Sequence, residues 1–177
     1  MGPIEVLADE HRVILHAAAL LERRLDALDD GGQALDRQWF HDMLDFLRTF
    51  ADRRHHGKEE QLLFPLMAEQ LDYPREAGPI AVLTADHGTA RALVRAMAEA
   101  LGVPDSHSAA ACLVKDGRNY VRLLRAHIDR EDDKVFPTVE DMLDADDALR
   151  SEAAFTQFEA TLPPMDPSSL LTKLGRK

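Results

Sequence analysis

Apolar residues recur along this chain at spacings of three and four, and no stretch alternates with period two, so the pattern predicts helices throughout. Leu7, Ile14, Leu15, Ala18 and Leu25 form one stripe over a helix from about residue 4 to 28, and Asp29-Asp30-Gly31-Gly32 ends it. A second helix begins near residue 36 and reaches about 71. Its face carries Phe40, Leu44, Leu47, Ala51, Leu62 and Leu66, with His55 and Glu59 in the same row. Pro65 interrupts its hydrogen-bond ladder and predicts a kink one turn past Glu59.

Residues 72–79 hold two prolines and a glycine and read as a loop. A third helix is expected over residues 80–101, its inner line being Ile80, Leu83, Thr84, His87, Arg91 and Val94. After a loop at 102–108, a fourth spans about 109–142, with Leu113, Tyr120, Leu124, His127, Glu131 and Val135 on one face. A shorter amphipathic helix follows around 147–162. From Pro163-Pro164 onward the composition suggests a mobile or docking tail. The chain thus reads as all-α, two helical hairpins at roughly 4–70 and 80–140. A bundle over 1–145 is followed by a short helix and flexible tail over 146–177.

Composition narrows the class. A chain of 177 residues with 45% hydrophobic content suits one domain with a full core. No apolar run approaches the ~20 residues needed to span a bilayer, and no basic-then-apolar leader opens the chain, so a cytoplasmic protein without a membrane partner is expected. The net charge of −11 argues against a nucleic-acid partner. Cys112 is the single cysteine, which excludes a disulfide framework and a thiolate metal cluster. It reads as a small buried apolar residue on a helix.

The chemistry lies in a repeat. His55-His56-Gly57-Lys58-Glu59-Glu60 with Leu63-Phe64-Pro65 aligns with His127-Ile128-Asp129-Arg130-Glu131 and Phe136-Pro137. Each copy sets a His and a Glu four residues apart, on one helical face. Upstream, Leu7-Ala8-Asp9-Glu10-His11 matches Leu83-Thr84-Ala85-Asp86-His87, adding one His per hairpin. Four histidines and two glutamates converging in a core are strongly unfavourable without a cation, and two divalent ions resolve the cost. Imidazole with carboxylate and no sulfur suits iron, manganese or zinc. His56 is a candidate further ligand, whereas His16, His41 and His107 read as flank or loop residues. Tyr120, two turns before His127, is a candidate catalytic group beside the pocket. Arg91 is either a solvent-reaching side chain or a partner for a bridging carboxylate. Phe46, Phe50, Phe64 and Phe136 read as plain core.

Over residues 4–142 these motifs, in this order, resemble the hemerythrin family, specifically the bacterial hemerythrin-like HHE cation-binding domains. The resemblance implies an up-down-up-down four-helix bundle, here with a short extra C-terminal helix and tail, around an oxo- or hydroxo-bridged pair of iron ions. It implies His11 and His55 on one iron, His87 and His127 on the other, with Glu59 and Glu131 bridging. Oxygen-carrying members have a second His one turn after the first in helix 3, where this chain has Arg91. That difference leaves an open site near His87 or lets His56 supply the ligand. The function expected is a non-haem di-iron protein that reacts with oxygen, peroxide or nitric oxide, leaning to an oxidoreductase fed by an external reductant. A carrier, store or sensor of oxygen or iron is the alternative.

Overall fold

The computed structural model describes residues 2–176. Among these every regular element is helical, as the periodicity predicts. Four arms form the bundle. The first is α1 (Pro3–Asp29). The second changes pitch along one continuous run: α2 (Arg37–Phe46), π1 (Leu47–His56), π2 (Glu59–Leu63) and α3 (Phe64–Gln70), where π1 and π2 are π-helical. The third is α4 (Gly78–Leu101). The fourth joins α5 (Ser106–Arg130), the π-helical π3 (Glu131–Val135) and α6 (Phe136–Met142).

Local chemistry sets the ends. Asp36 accepts a hydrogen bond from the Trp39 backbone N–H at 3.0 Å and caps α2. Asp105 accepts from the His107 and Ser108 N–H groups and caps α5. After α1 the chain reverses through Gly31, whose φ of 68° lies in the left-handed region that favours glycine. Between α1 and α5 the Leu25 side chain packs so close to Gly117 that a Cβ there would lie 2.6 Å from Leu25 Cδ1.

The two short π-helical segments, π2 and π3, have a local cause. Pro65 and Pro137 each stand in the first turn of the α-helix that follows a π segment. In an unbroken α-helix each ring would press on the carbonyl four residues back. A π turn closes one residue later, which widens the helix there and relieves the clash. Just before Pro65 the Phe64 N–H bonds the Glu59 carbonyl five residues back, so the ladder there holds one residue more than an α turn. The insertion moves the buried register: past Glu59 the core takes Leu63, Phe64 and Met67, whereas the uniform spacing predicted Leu62 and Leu66. On α4 the inner line is Ile80, Leu83, His87, Ala90 and Val94. Thr84 and Arg91, expected on it, are exposed.

Two apolar clusters fill the bundle, one from Ile14 and Phe40 to Val121 and Leu124, the other from Leu7 and Leu63 to Phe136. Phe46, Phe50, Phe64 and Phe136 belong to them as expected. A layer of histidine and glutamate lies between the two. Two further helices wrap the outside, α7 (Ala145–Ala160) and α8 (Pro167–Gly175). Residues 167–175 are docked where a flexible tail was expected: Leu171 and Leu174 enter the first cluster, and Trp39 Nε1 donates to the Leu174 carbonyl at 2.9 Å. Cys112 is exposed, against the expectation of burial, because α5 turns Ala109 and Leu113 inward and leaves position 112 outward.

Candidate metal centre

Each arm contributes to the polar layer at a position the apolar stripe would otherwise fill. On α1, His11 falls between Leu7 and Ile14. On α4, His87 falls between Leu83 and Ala90, and on α5 His127 follows Leu124 by three. π1 presents both His55 and His56 to the interior, because the slower rotation of a π turn keeps neighbouring side chains nearer one side. All five histidines are at most 2% exposed, and Glu59 and Glu131 are fully buried.

The seven residues fall into two overlapping groups. His11, His55, Glu59 and Glu131 form one, and His56, Glu59, His87 and His127 the other. Within each group the candidate ligand atoms lie within 4.8 Å of one another. Glu59 belongs to both: Oε1 is 3.4 Å from His55 Nε2, and Oε2 is 3.2 Å from His87 Nε2. Glu131 reaches across in the same way, its Oε2 being 3.3 Å from His11 Nε2 and 3.1 Å from His127 Nε2. The structure therefore brings together every residue the sequence singled out as a ligand. It sets His56 beside His87, their rings stacked at 3.9 Å.

Around this layer stands a ring of carboxylates that the sequence reading did not assign. His11 Nδ1 is 2.7 Å from Asp132, His55 Nδ1 is 3.0 Å from Glu10, and His87 Nδ1 is 2.8 Å from Glu60. His56 and His127 face Asp52 and Asp86 at 3.4 and 3.3 Å. Each carboxylate can accept a hydrogen bond from Nδ1–H, fixing the tautomer in which the Nε2 lone pair is aimed inward, as ligating histidines require. The signal was present in the sequence: Glu10 and Asp86 each precede a repeat histidine by one, and Glu60 and Asp132 each follow a repeat glutamate by one. Arg91 sits 2.7 Å from Asp52 and 2.8 Å from Glu60, so it supports this outer ring and touches neither Glu59 nor Glu131. Lys58 is fully buried between Glu10 and Glu159, which ties α7 to the same ring. His16, His41 and His107 are exposed and take no part.

The electrostatics are those of a site built around positive charge. Burial alone would raise the Glu131 carboxyl, but His11 and His127 outweigh it and hold it down to about 2. Burial would likewise lower His11, yet Asp132 and Glu131 hold it up to about 9. His87 is held at about 9 against burial by Glu59 and Glu60. His55 and His56 go the other way, burial keeping both below the ordinary value and neutral. Even so, among the described residues His11 Nε2, His55 Nε2 and both oxygens of Glu59 and of Glu131 are buried without a hydrogen-bond partner. Six unpartnered ligand-type atoms facing one another are hard to reconcile with a protein-only core. They fit cations between them.

Tyr120 lies outside the ligand layer, 2% exposed, on the wall of a cavity it shares with His56 and Asp52. Burial pushes its phenol up, so it keeps its proton. Among the described residues no helix is long and apolar enough to cross a membrane.

A sequence profile described as the hemerythrin HHE cation binding domain matches residues 2–139. The chain belongs to that family. Searches of curated proteins and of solved structures found no match.

Proposed function

We propose that this hemerythrin-family protein holds two iron ions in its bundle and uses them in redox chemistry with oxygen, peroxide or nitric oxide. The observation that carries the reading is the set of six buried, unpartnered ligand atoms shared between two overlapping groups. Glu59 and Glu131 each reach histidines of both groups, so they are assigned as bridging ligands. His11 and His55 would hold one ion, and His56, His87 and His127 the other. Nitrogen and oxygen donors without sulfur suit iron. When bound, such a pair supplies electrons to a small molecule without an organic cofactor.

The protein's own part is to position and enclose. Five carboxylates fix the imidazoles, Phe136 stacks on His11 at 5.2 Å, and apolar side chains on both sides of the layer exclude water. His56 answers the question posed by Arg91. With three histidines at one end and two at the other, the position open to a small molecule belongs to the His11 and His55 end. The sequence left two alternatives, an open site near His87 or His56 as the replacement ligand, and this reading takes the second. No nucleic acid and no membrane figure in this reading, which places the protein in the cytoplasm with an external reductant.

A second reading, a carrier, store or sensor without turnover, is favoured by that same three-to-two division, since His56 makes good the histidine missing at Arg91. Two measurements test the proposal. Metal analysis after anaerobic reconstitution with ferrous iron is expected to give two irons per chain, and a firm value of one would overturn it. Mixing the reduced protein with oxygen is expected to oxidise it rapidly. Reversible uptake, with oxygen recovered intact under vacuum, would establish the carrier instead.

A further inference from the structure

We propose that the cavity between π1, α4 and α5 is a binding site for a small organic anion with an apolar body, adjoining the metal centre at His56. The cavity measures about 300 Å³. That is the lower end of the range for sites that enclose small organic ligands, and about ten times the share of one water molecule in the liquid. A diatomic gas needs far less. Leu47, Ala90 and Val94 give it apolar walls, and a few polar groups converge on it.

The first of these is Tyr120. A buried tyrosine hydroxyl normally finds a hydrogen-bond partner. Tyr120 as a residue is 2% exposed, and among the described residues nothing hydrogen-bonds to its hydroxyl. Its side chain faces the cavity, and as a protonated phenol it has a hydrogen bond to donate there. The inner end thus offers one donor on an apolar wall.

The second feature is charge. The chain carries −11 overall, yet Arg48, Arg91 and Arg95 all border this one cavity. They are not equivalent. Arg91 is already matched by Asp52 and Glu60 at 2.7 and 2.8 Å. Among the described residues Arg48 has only Asp45, at 3.5 Å between exposed side chains, a contact worth little. Arg95 has no ion-pair partner among the described residues. One helical turn separates Arg95 from Arg91 on α4, and Arg48 lies four residues before Asp52 on π1. The uncommitted positive charge therefore sits at the end away from the metal layer, while Asp52 keeps the His56 end unfavourable for an anion. A carboxylate at Arg95 and Arg48, a body along Leu47 and Val94, and a hydrogen bond from Tyr120 satisfy all three features. A monocarboxylate with an aromatic or branched body has that chemistry.

The test is calorimetric titration of the protein as purified with sodium benzoate, alongside benzyl alcohol and sodium acetate. Benzoate is expected to bind at one site per chain, at least fivefold tighter than either control. Arg95→Glu, a surface change that leaves the bundle intact, is expected to weaken benzoate at least fivefold and leave benzyl alcohol unchanged. Val94→Trp fills the cavity and is expected to abolish binding, with its melting temperature recorded to confirm folding. Tyr120→Phe should weaken benzoate while leaving the iron content unchanged. Equal weak binding of all three compounds would overturn the proposal, as would benzoate binding indifferent to Arg95→Glu.

Discussion

At the scale of single residues, the centre separates two kinds of carboxylate that alternate along the chain. Among the described residues Glu131 has no hydrogen-bond partner for either oxygen, and Asp132 next to it is committed to His11 Nδ1 at 2.7 Å. Glu59 and Glu60 divide the same way, Glu60 taking His87 Nδ1. Loss of an inward carboxylate would remove a proposed ligand. Loss of an outward one only frees a histidine to turn. Glu131→Ala is therefore expected to lose at least one metal per chain. Asp132→Ala should retain two, bound about 10–100-fold more weakly, the usual effect of removing a carboxylate behind a ligating histidine. Competition with a calibrated chelator measures both. If Asp132→Ala loses the metal and Glu131→Ala keeps it, the register of the fourth arm is wrong by one.

At the scale of elements, close approach decides where a side chain can be added. Gly117 and Gly88 both lie inside long helices, where alanine is intrinsically better by about 1 kcal/mol. A Cβ at Gly88 meets nothing within 4 Å, whereas one at Gly117 would strike Leu25, a fully buried side chain. Overpacking of that kind costs about 1–3 kcal/mol. Gly88→Ala is expected to raise the denaturation midpoint and Gly117→Ala to lower it, measured in urea at constant slope. The same packing explains what could be read from the sequence. The four arms, and the candidate ligands His11, His55, Glu59, His87, His127 and Glu131, were legible because the six residues occupy stripe positions that ought to be apolar. The π-helical turns were not, since Leu62 and Leu66 continue the α period as well as Leu63 and Met67 break it. His56 was ambiguous for that reason: a uniform α-helix turns it toward the solvated row of Asp52. Docking of α8 was equally hidden, resting on Trp39 and a carbonyl 135 residues away.

At the scale of the whole molecule, the polar layer interrupts an otherwise continuous core, and protons stand in for the cations when metal is removed. Without metal, His11 and His87 hold their protons up to about pH 9, against an ordinary value of 6.5. A histidine whose value is raised by folding contributes stability that is fully present below 6.5 and is lost as pH rises through 9. The metal-free protein should accordingly lose stability between pH 6.5 and 9, because Glu59 and Glu131 then lose the positive charge that compensates them. Metal binding must displace those same protons, so it strengthens over the same interval. A ligand that binds only the folded state raises apparent stability by mass action, and the gain follows its affinity. The melting temperature of iron-loaded protein is therefore expected to exceed that of chelator-treated protein, with a gap that widens from pH 6.5 to 9. Differential scanning calorimetry of both forms at matched pH measures it. A gap that is absent, or that narrows as pH rises, would show that the buried histidines and glutamates do not share a cation.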